Sequence, residues 1–110
     1  MKKGNVITLI IVLAVIILAI IIINKPNSSV DPNTAKCIGN NSVIYVQLGC
    51  SACKLQEDMF GDSYQYLTRV DCFYERDKCS NITATPTWTI KGQTYVGVQS
   101  IKILQNLTGC

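Results

Sequence analysis

Two cysteines separated by two residues, Cys50 and Cys53, stand in the segment L-G-C-S-A-C-K, directly after the apolar run V-I-Y-V. A pair at this spacing forms either a dithiol that cycles with a disulfide or one half of a zinc site. A redox pair needs two sulfurs close enough to bond and one stabilised thiolate. If a helix begins here, its free N–H groups and its dipole favour the anion of the first cysteine. The position therefore indicates Cys50 as the nucleophile and Cys53 as the resolving thiol.

A metal site is the main alternative for this pair. Structural zinc needs a second set of ligands. The chain contains no histidine, and the cysteines that follow, Cys72 and Cys79, are separated by six residues. We therefore expect no metal and no other cofactor. A purely structural bridge between Cys50 and Cys53 is the third interpretation of the motif.

The residues around the pair predict a small α/β unit. Residues 43–48 are a short apolar run rich in β-branched and aromatic residues, which is typical of a buried strand. Residues 54–67 place apolar side chains near helical spacing, with Gly61 as a weak point, and predict an amphipathic helix. The predicted order of elements is β-α-β-α-β-β-α. After the helix come a strand at 68–73 and a short helix or loop at 75–81. A hairpin entered through Pro86 and a last helix capped by Ser100 complete the unit.

The N-terminal quarter of the chain has a different character. Residues 6–23 are an uninterrupted apolar run without a charge, close to the roughly 20 residues that cross a bilayer. A cleaved signal peptide would have a shorter apolar region followed by small residues, which I-I-I-N-K-P-N does not offer. The run therefore predicts an uncleaved, single-pass signal anchor. Lys2 and Lys3 favour a cytoplasmic N-terminus (residues 1–5), which puts the remaining chain outside the cytoplasm.

Residues 24–36 are rich in Pro, Asn and Ser, and we expect them to be a linker. The folded domain is then 37–110, which is small for a hydrophobic core alone. All six cysteines fall in this domain, and an even number in a short extracytoplasmic domain predicts disulfides, although the spacing leaves their pairing open.

Two further patterns bear on function. The net charge of +3 is not accompanied by a basic patch with interleaved aromatic residues, which argues against nucleic-acid binding.

N-x-S/T sequons fit an exported domain and matter only in a host that glycosylates; they begin at Asn27, Asn40, Asn81 and Asn106.

A set of motifs carries a resemblance to a known family. The set is G-C-S-A-C-K, D-C with a later C-S-N-I, the block P-T-W-T-I-K-G-Q-T-Y-V-G-V-Q-S and a closing L-T-G. Over residues 42–109 it resembles the thioredoxin-like domain that is fused to, or partnered with, vitamin K epoxide reductase homologues. The P-T-W to G-V-Q-S block is the specific part, since Cys-x-x-Cys is common to the thioredoxin superfamily. The resemblance implies a minimal thioredoxin-like fold, here preceded by one transmembrane helix.

The resemblance also implies a DsbA-like role, the formation of disulfides in exported proteins. Oxidised Cys50–Cys53 would accept electrons from an exported cysteine-containing protein through a mixed disulfide on Cys50. A separate vitamin K epoxide reductase-like or DsbB-like membrane protein would reoxidise the pair. Pro86 is expected in the cis form beside the dithiol, and Thr85 is expected to present its backbone to the substrate.

The remaining cysteines are interpreted in the light of the same resemblance. Cys72 and Cys79 match a second cysteine pair of the family and are expected to form a structural or auxiliary disulfide. Cys37 and Cys110 lie near the two ends of the predicted domain and are left, by elimination, to join those ends.

The chain departs from the family pattern around the dithiol. Ser51 and Ala52 provide no histidine of the kind that strongly oxidising relatives have, and Ile44 replaces a buried carboxylate six residues before the first cysteine. Thr85 stands where this subfamily often has an aromatic residue. The direction of electron flow therefore stays open. A reductase or isomerase of the same fold is one alternative, and a non-catalytic, disulfide-stapled, membrane-tethered binding domain is the other.

Overall fold

A long apolar helix begins the chain. The computed structural model describes residues 2–24 and 29–110. In this part of the chain, α1 (Lys3–Ile23) is long and apolar enough to cross a membrane, judged by its length, its composition and a mean hydropathy of 3.7. The helix covers the predicted span of residues 6–23. The orientation of this helix relative to a membrane stays a prediction. Two predicted features lie outside the described residues: Met1 of the N-terminal segment and the sequon at Asn27.

Four short strands form one mixed sheet, which confirms the predicted α/β class. They are β1 (Ser42–Val46), β2 (Arg69–Asp71), β3 (Thr87–Ile90) and β4 (Gln93–Val96). The order across the sheet is β2-β1-β3-β4, with β1 parallel to β2, antiparallel to β3, and β4 antiparallel to β3. Lys91 and Gly92 connect β3 to β4 with φ angles of 50° and 77°. A two-residue turn with two positive φ angles matches the twist of a hairpin, so the predicted hairpin is present.

Three further helices accompany the sheet: α2 (Pro32–Asn41), α3 (Ser51–Phe60) and α4 (Ile101–Thr108). Each begins where a side chain accepts a hydrogen bond from the first turn, namely Asp31 for α2, Cys50 for α3 and Ser100 for α4. Helices α3 and α4 both end at a glycine with positive φ, Gly61 and Gly109. Short 3₁₀ segments follow at Gly61–Tyr66 and, after β2, at Arg76–Cys79.

The core draws one large, fully buried side chain from each of five elements. Ile38, Ile44, Phe60, Trp88 and Leu104 come from α2, β1, α3, β3 and α4, and each is 0% exposed. The Phe60 and Trp88 rings lie 6.1 Å apart between centroids. Burial of such a side chain contributes about 1.5–3 kcal/mol, so this cluster holds α3 against the sheet. The cluster therefore fixes the position of the residues that open α3.

The structure differs from the predicted boundary between linker and domain. Residues 32–36 of the expected linker form the first half of α2, and Ala35 is 0% exposed in the core. Val30 precedes the helix, and its N–H donates to the carbonyl of Phe60 at 3.3 Å. The low apolar content of the segment concealed this helix, because only Ala35, Ile38 and Gly39 are buried and Asp31 supplies the cap.

The predicted helix at 54–67 is also corrected. It begins at Ser51 and ends at Phe60, after which Gly61 adopts a φ of 58° and a 3₁₀ segment runs to Tyr66. A positive φ is open to glycine at little cost, so Gly61 ends the α-helix rather than weakening it. The Gly61–Tyr66 segment still buries Tyr64 as an inward side chain.

Candidate active site

Cys50 is the N-cap residue of helix α3 and directly precedes its first residue, Ser51, where the chain turns after β1. Its N–H donates to the carbonyl of Gln47 at 3.1 Å, and its Sγ accepts from the N–H of Cys53 at 3.2 Å. The sulfur thus takes the place of the side-chain oxygen that usually caps a helix. The cap places Cys50 Sγ against the positive end of the helix dipole, where a thiolate is favoured.

The surroundings of Cys50 lower the pKa of its thiol. Partial burial acts the other way and would raise the pKa, but hydrogen bonds to the sulfur outweigh it. The donors are the side chains of Cys53 and Thr85 and the backbone N–H groups of Cys53 and Ala52. Hydrogen bonds to the charged form of an acid stabilise that form, and a lowered pKa is what an attacking or leaving thiol requires.

Cys53 lies one turn further into the helix and has the opposite character. Its side chain is 6% exposed, and burial raises the pKa of its thiol. Its hydrogen bond to Cys50 raises the pKa further, because the thiol has to keep its proton to donate. The pair therefore contains one thiol prepared to ionise and one prepared to stay protonated.

The Thr85–Pro86 peptide bond lies beside Cys50 and is in the cis form. The thiol of Cys50 donates to the carbonyl oxygen of Thr85 at 3.5 Å, and the Thr85 hydroxyl donates to Cys50 Sγ at 3.4 Å. Pro86 is fully buried, and its carbonyl accepts from the N–H of Gly97 at 2.7 Å. The structure thus brings together the four site residues taken from the sequence, although 35 positions separate Cys50 from Thr85.

The other four cysteines are joined in two disulfides. Cys72 bonds to Cys79 with a Cα–Cα distance of 5.7 Å, and Cys37 bonds to Cys110 with a distance of 6.0 Å. Cys50 and Cys53 are left as thiols. Since all six cysteines belong to residues 29–110, the thiols that can react without prior reduction are those at the start of α3.

Two open cavities flank the dithiol. The larger has a volume of about 760 Å³ and is lined by both Cys50 and Cys53, together with Glu57, Tyr64 and Arg69. The smaller, of about 370 Å³, lies between Thr85 and the Cys72–Cys79 disulfide. Cys50 is therefore approachable from the surface, and Cys53 also lines the larger cavity.

Gln56 is a residue of this region that sequence reasoning missed. It is 0% exposed on the inner face of α3. Its Oε1 accepts from Trp88 Nε1 at 3.1 Å and from Gln99 N at 2.8 Å, and its Nε2 donates to Gln99 O at 3.0 Å. A polar residue three positions after Cys53 and four before Phe60, on the apolar face, is the signal that could have revealed it.

Residues 2–24 and 29–110 hold no group of three or more His, Cys, Asp or Glu side chains that could bind a metal ion. Trp88 belongs to the core, and Tyr95 packs against it from β4.

Comparison with known proteins gives a limited result. No family model matches the chain. Among solved structures, the chain is similar to the NTD_N/C domain of the alkylhydroperoxide reductase AhpF from Enterococcus faecalis (V583), with a TM-score of 0.41 and 19% sequence identity. The similarity covers 73% of this chain and 45% of that one, so the chain spans less than half of the length of this neighbour.

Proposed function

We propose that the chain is a thioredoxin-like thiol–disulfide oxidoreductase that acts through Cys50 and Cys53. The observation that carries the proposal is the capping of α3 by Cys50 Sγ, 3.2 Å from the N–H of Cys53 and 3.4 Å from the Thr85 hydroxyl. These donors favour the thiolate of Cys50 over that of Cys53. An asymmetric pair of this kind is suited to exchange, because one sulfur attacks or leaves and the other closes the disulfide.

The favoured direction is oxidation of a partner. A substrate thiolate attacks Cys50 Sγ of the Cys50–Cys53 disulfide, and Cys53 leaves with the electron pair and takes a proton. A second substrate thiolate then attacks the substrate sulfur of the mixed disulfide, and Cys50 leaves as a thiolate. The substrate gains a disulfide and the protein becomes a dithiol. Stabilisation of the Cys50 thiolate favours the reduced protein and hence makes its disulfide more oxidising.

The cellular setting belongs to the same proposal. Helix α1 would act as a single-pass signal anchor with a cytoplasmic N-terminus, holding the folded domain outside the cytoplasm where disulfides persist. The substrates would be exported cysteine-containing proteins that contact the backbone of Thr85, beside its cis bond to Pro86. A vitamin K epoxide reductase-like or DsbB-like membrane protein would return the dithiol to the disulfide.

The experiment that tests the activity traps the intermediate. Full-length protein in detergent micelles is oxidised and mixed with a reduced peptide that carries two cysteines, and the products are resolved by mass spectrometry without reductant. We expect the native protein to oxidise the peptide, the Cys50→Ser variant to be inactive, and Cys53→Ser, activated at Cys50 with a small disulfide, to accumulate a mixed disulfide with the peptide. Equal activity of native protein and Cys50→Ser would contradict the proposal, and a native protein that does not oxidise the peptide would favour a stapled binding domain.

A further inference from the structure

Among the residues that the structure describes, the buried polar side chains of the core include no carboxylate that could accept the proton of Cys53. When a mixed disulfide forms on Cys50, the Cys53 thiol must lose its proton before it can attack. Burial raises the pKa of this thiol, so the proton does not leave readily by itself. Ile44 lies on the adjacent strand β1 at 0% exposure and offers no proton-accepting group. A base that serves Cys53 must therefore reach it from the large cavity beside α3.

The wall of this cavity limits the candidates. Besides Cys50 and Cys53, its titratable and charged residues come from α3, the 3₁₀ segment, β2 and the following loop; they are Lys54, Glu57, Tyr64, Arg69, Asp71, Tyr74 and Glu75. Three of them are carboxylates. Asp71 Oδ1 already accepts from the N–H groups of Leu48 and Phe73, at 3.3 Å and 2.9 Å. Glu75 is paired with Lys78 at 2.8 Å.

Glu57 is the carboxylate that geometry favours. It follows Cys53 by four residues on the same helix, and such residues lie on one face with about 5–6 Å between their Cβ atoms. One water molecule can bridge side chains at that separation. Lys54 approaches Glu57 only to 4.0 Å and lies closer to Asp58, at 3.1 Å. Burial chiefly raises the pKa of Tyr64, and the charge of Glu57 raises it further. Tyr64 lines the same cavity as Glu57 and Cys53, so the Glu57 carboxylate acts on groups inside that cavity.

We propose that the Glu57 carboxylate accepts the proton of Cys53, through water in the cavity that both side chains line, when Cys53 resolves a mixed disulfide on Cys50. This role rests on the proposed function. The Cys53 sulfur attacks Cys50 Sγ as its proton passes to Glu57, so the Cys50–Cys53 bond forms. The bond from Cys50 to the partner sulfur breaks, and the partner leaves as a thiolate with the electron pair. Glu57 then releases the proton to solvent through the open cavity.

Ellman's reagent separates the step that uses Glu57 from the step that does not. The reduced full-length protein, with two free thiols verified by mass, releases one thionitrobenzoate when Cys50 attacks the reagent. It releases a second when Cys53 attacks the mixed disulfide. Stopped-flow absorbance from pH 5 to pH 9 gives both rates. General bases typically contribute about 10²–10⁴-fold, so we expect Glu57→Gln to slow the second phase at least about tenfold at neutral pH and to leave the first phase within about twofold.

Two controls distinguish proton transfer from other effects of the substitution. Asp58→Asn removes a neighbouring exposed carboxylate that does not line the cavity and should leave both phases unchanged, and Glu57→Asp should recover part of the rate. The sign of the effect is also informative. If Glu57 affected Cys53 only through its negative charge, Glu57→Gln would make the Cys53 thiolate easier to form. The second phase would then become faster. A second phase of Glu57→Gln that is as fast as native, or faster, would overturn the proposal.

The same traces keep this proposal distinct from the proposed function. If the native protein shows no second phase, or one that survives in Cys53→Ser, the Cys50–Cys53 exchange itself is contradicted. If the native second phase depends on Cys53 but not on Glu57, only the role of Glu57 fails.

Discussion

At the scale of single residues, the difference between Cys50 and Cys53 arises from position rather than from residue type. Both are cysteines on one helical turn, yet Cys50 Sγ receives N–H donors at the helix start and Cys53 is buried behind it. The sequence allowed this prediction because a strand, Gly49 and the first cysteine follow one another directly. The hydroxyl of Thr85, in contrast, reaches Cys50 from 35 positions away, and only the fold brings them together.

The first prediction at this scale concerns the Thr85 hydroxyl. Thr85→Val removes a donor to Cys50 Sγ while keeping the shape of the side chain, so the pKa of Cys50 should rise. A hydrogen bond stabilises the thiolate by about 1 kcal/mol. Its loss should therefore lower the fraction of Cys50 present as thiolate, and with it the alkylation rate, roughly fivefold below neutral pH. The rate of alkylation by iodoacetamide as a function of pH measures this effect. Thr85→Ser retains the hydroxyl and serves as the control; equal rates for the valine and serine variants would remove Thr85 from the account.

The second prediction is a pH dependence of the stability of the reduced protein. The pKa of Cys50 is lowered from its ordinary value of 9.0, so between its folded pKa and 9.0 the unfolded chain binds more protons than the folded one. The contribution of Cys50 is therefore present above pH 9 and is lost as pH falls through the folded pKa. Urea unfolding of the reduced native protein and of reduced Cys50→Ser should show a difference that grows from pH 5 to pH 9. A difference that is constant or shrinks over that range would contradict the lowered pKa.

At the scale of elements, the strands and the last two helices follow local patterns, and α2 does not. The β3–β4 hairpin was visible as Lys-Gly-Gln between two β-branched runs, and the cap of α4 was visible as a serine before a helical stripe. Helix α2 was hidden, because its sequence P-N-T-A-K-C-I-G-N-N is polar and few of its side chains are buried. Its stability comes from contacts with α4 and with residues 61–66, which local sequence does not encode.

Close approach of α2 to the 3₁₀ segment explains one residue of that helix. A Cβ atom built on Gly39 would lie 2.2 Å from the carbonyl oxygen of Tyr66. The Thr68 hydroxyl also donates to the Gly39 carbonyl at 2.7 Å. Glycine is thus required at this position for packing, although it is unfavourable inside a helix.

The third prediction tests how α3 is held in place. Gln56→Leu removes the partner of Trp88 Nε1 and of the Gln99 N–H, which leaves buried donors unsatisfied. Each such group costs about 1–3 kcal/mol, so we expect the free energy of unfolding to fall by about 2–4 kcal/mol. Urea titration followed by Trp88 fluorescence measures the loss. Gln65→Leu, an exposed glutamine in the next segment, should change the free energy by less than about 0.5 kcal/mol; a similar cost at both positions would contradict the structural role of Gln56.

At the scale of the whole molecule, two disulfides close a small unit around one dithiol. Cys37–Cys110 links α2 to the second residue after α4 across a sequence separation of 73. In the chain-entropy description, a disulfide that closes a loop of this length adds about 4 kcal/mol to the free energy of unfolding. Such a contribution suits a domain with a limited core. The N–H of Val30 donates a hydrogen bond to the carbonyl of Phe60, the last residue of α3. Cys50 caps the opposite end of this helix. The dithiol therefore lies at the far end of α3 from the point where the N-terminal segment joins the folded unit.

The measurement that tests the account most directly is the reduction potential of Cys50–Cys53. The full-length protein in detergent is equilibrated in glutathione buffers of graded ratio, its thiols are alkylated, and each cysteine is assigned by mass spectrometry. We predict that Cys50–Cys53 alone opens, with a potential near or above about −200 mV, while Cys72–Cys79 and Cys37–Cys110 stay bonded; for two electrons, 30 mV corresponds to about 1.4 kcal/mol. A potential near about −270 mV would contradict the oxidase direction, and a pair that neither opens nor closes across the series would contradict thiol–disulfide exchange altogether.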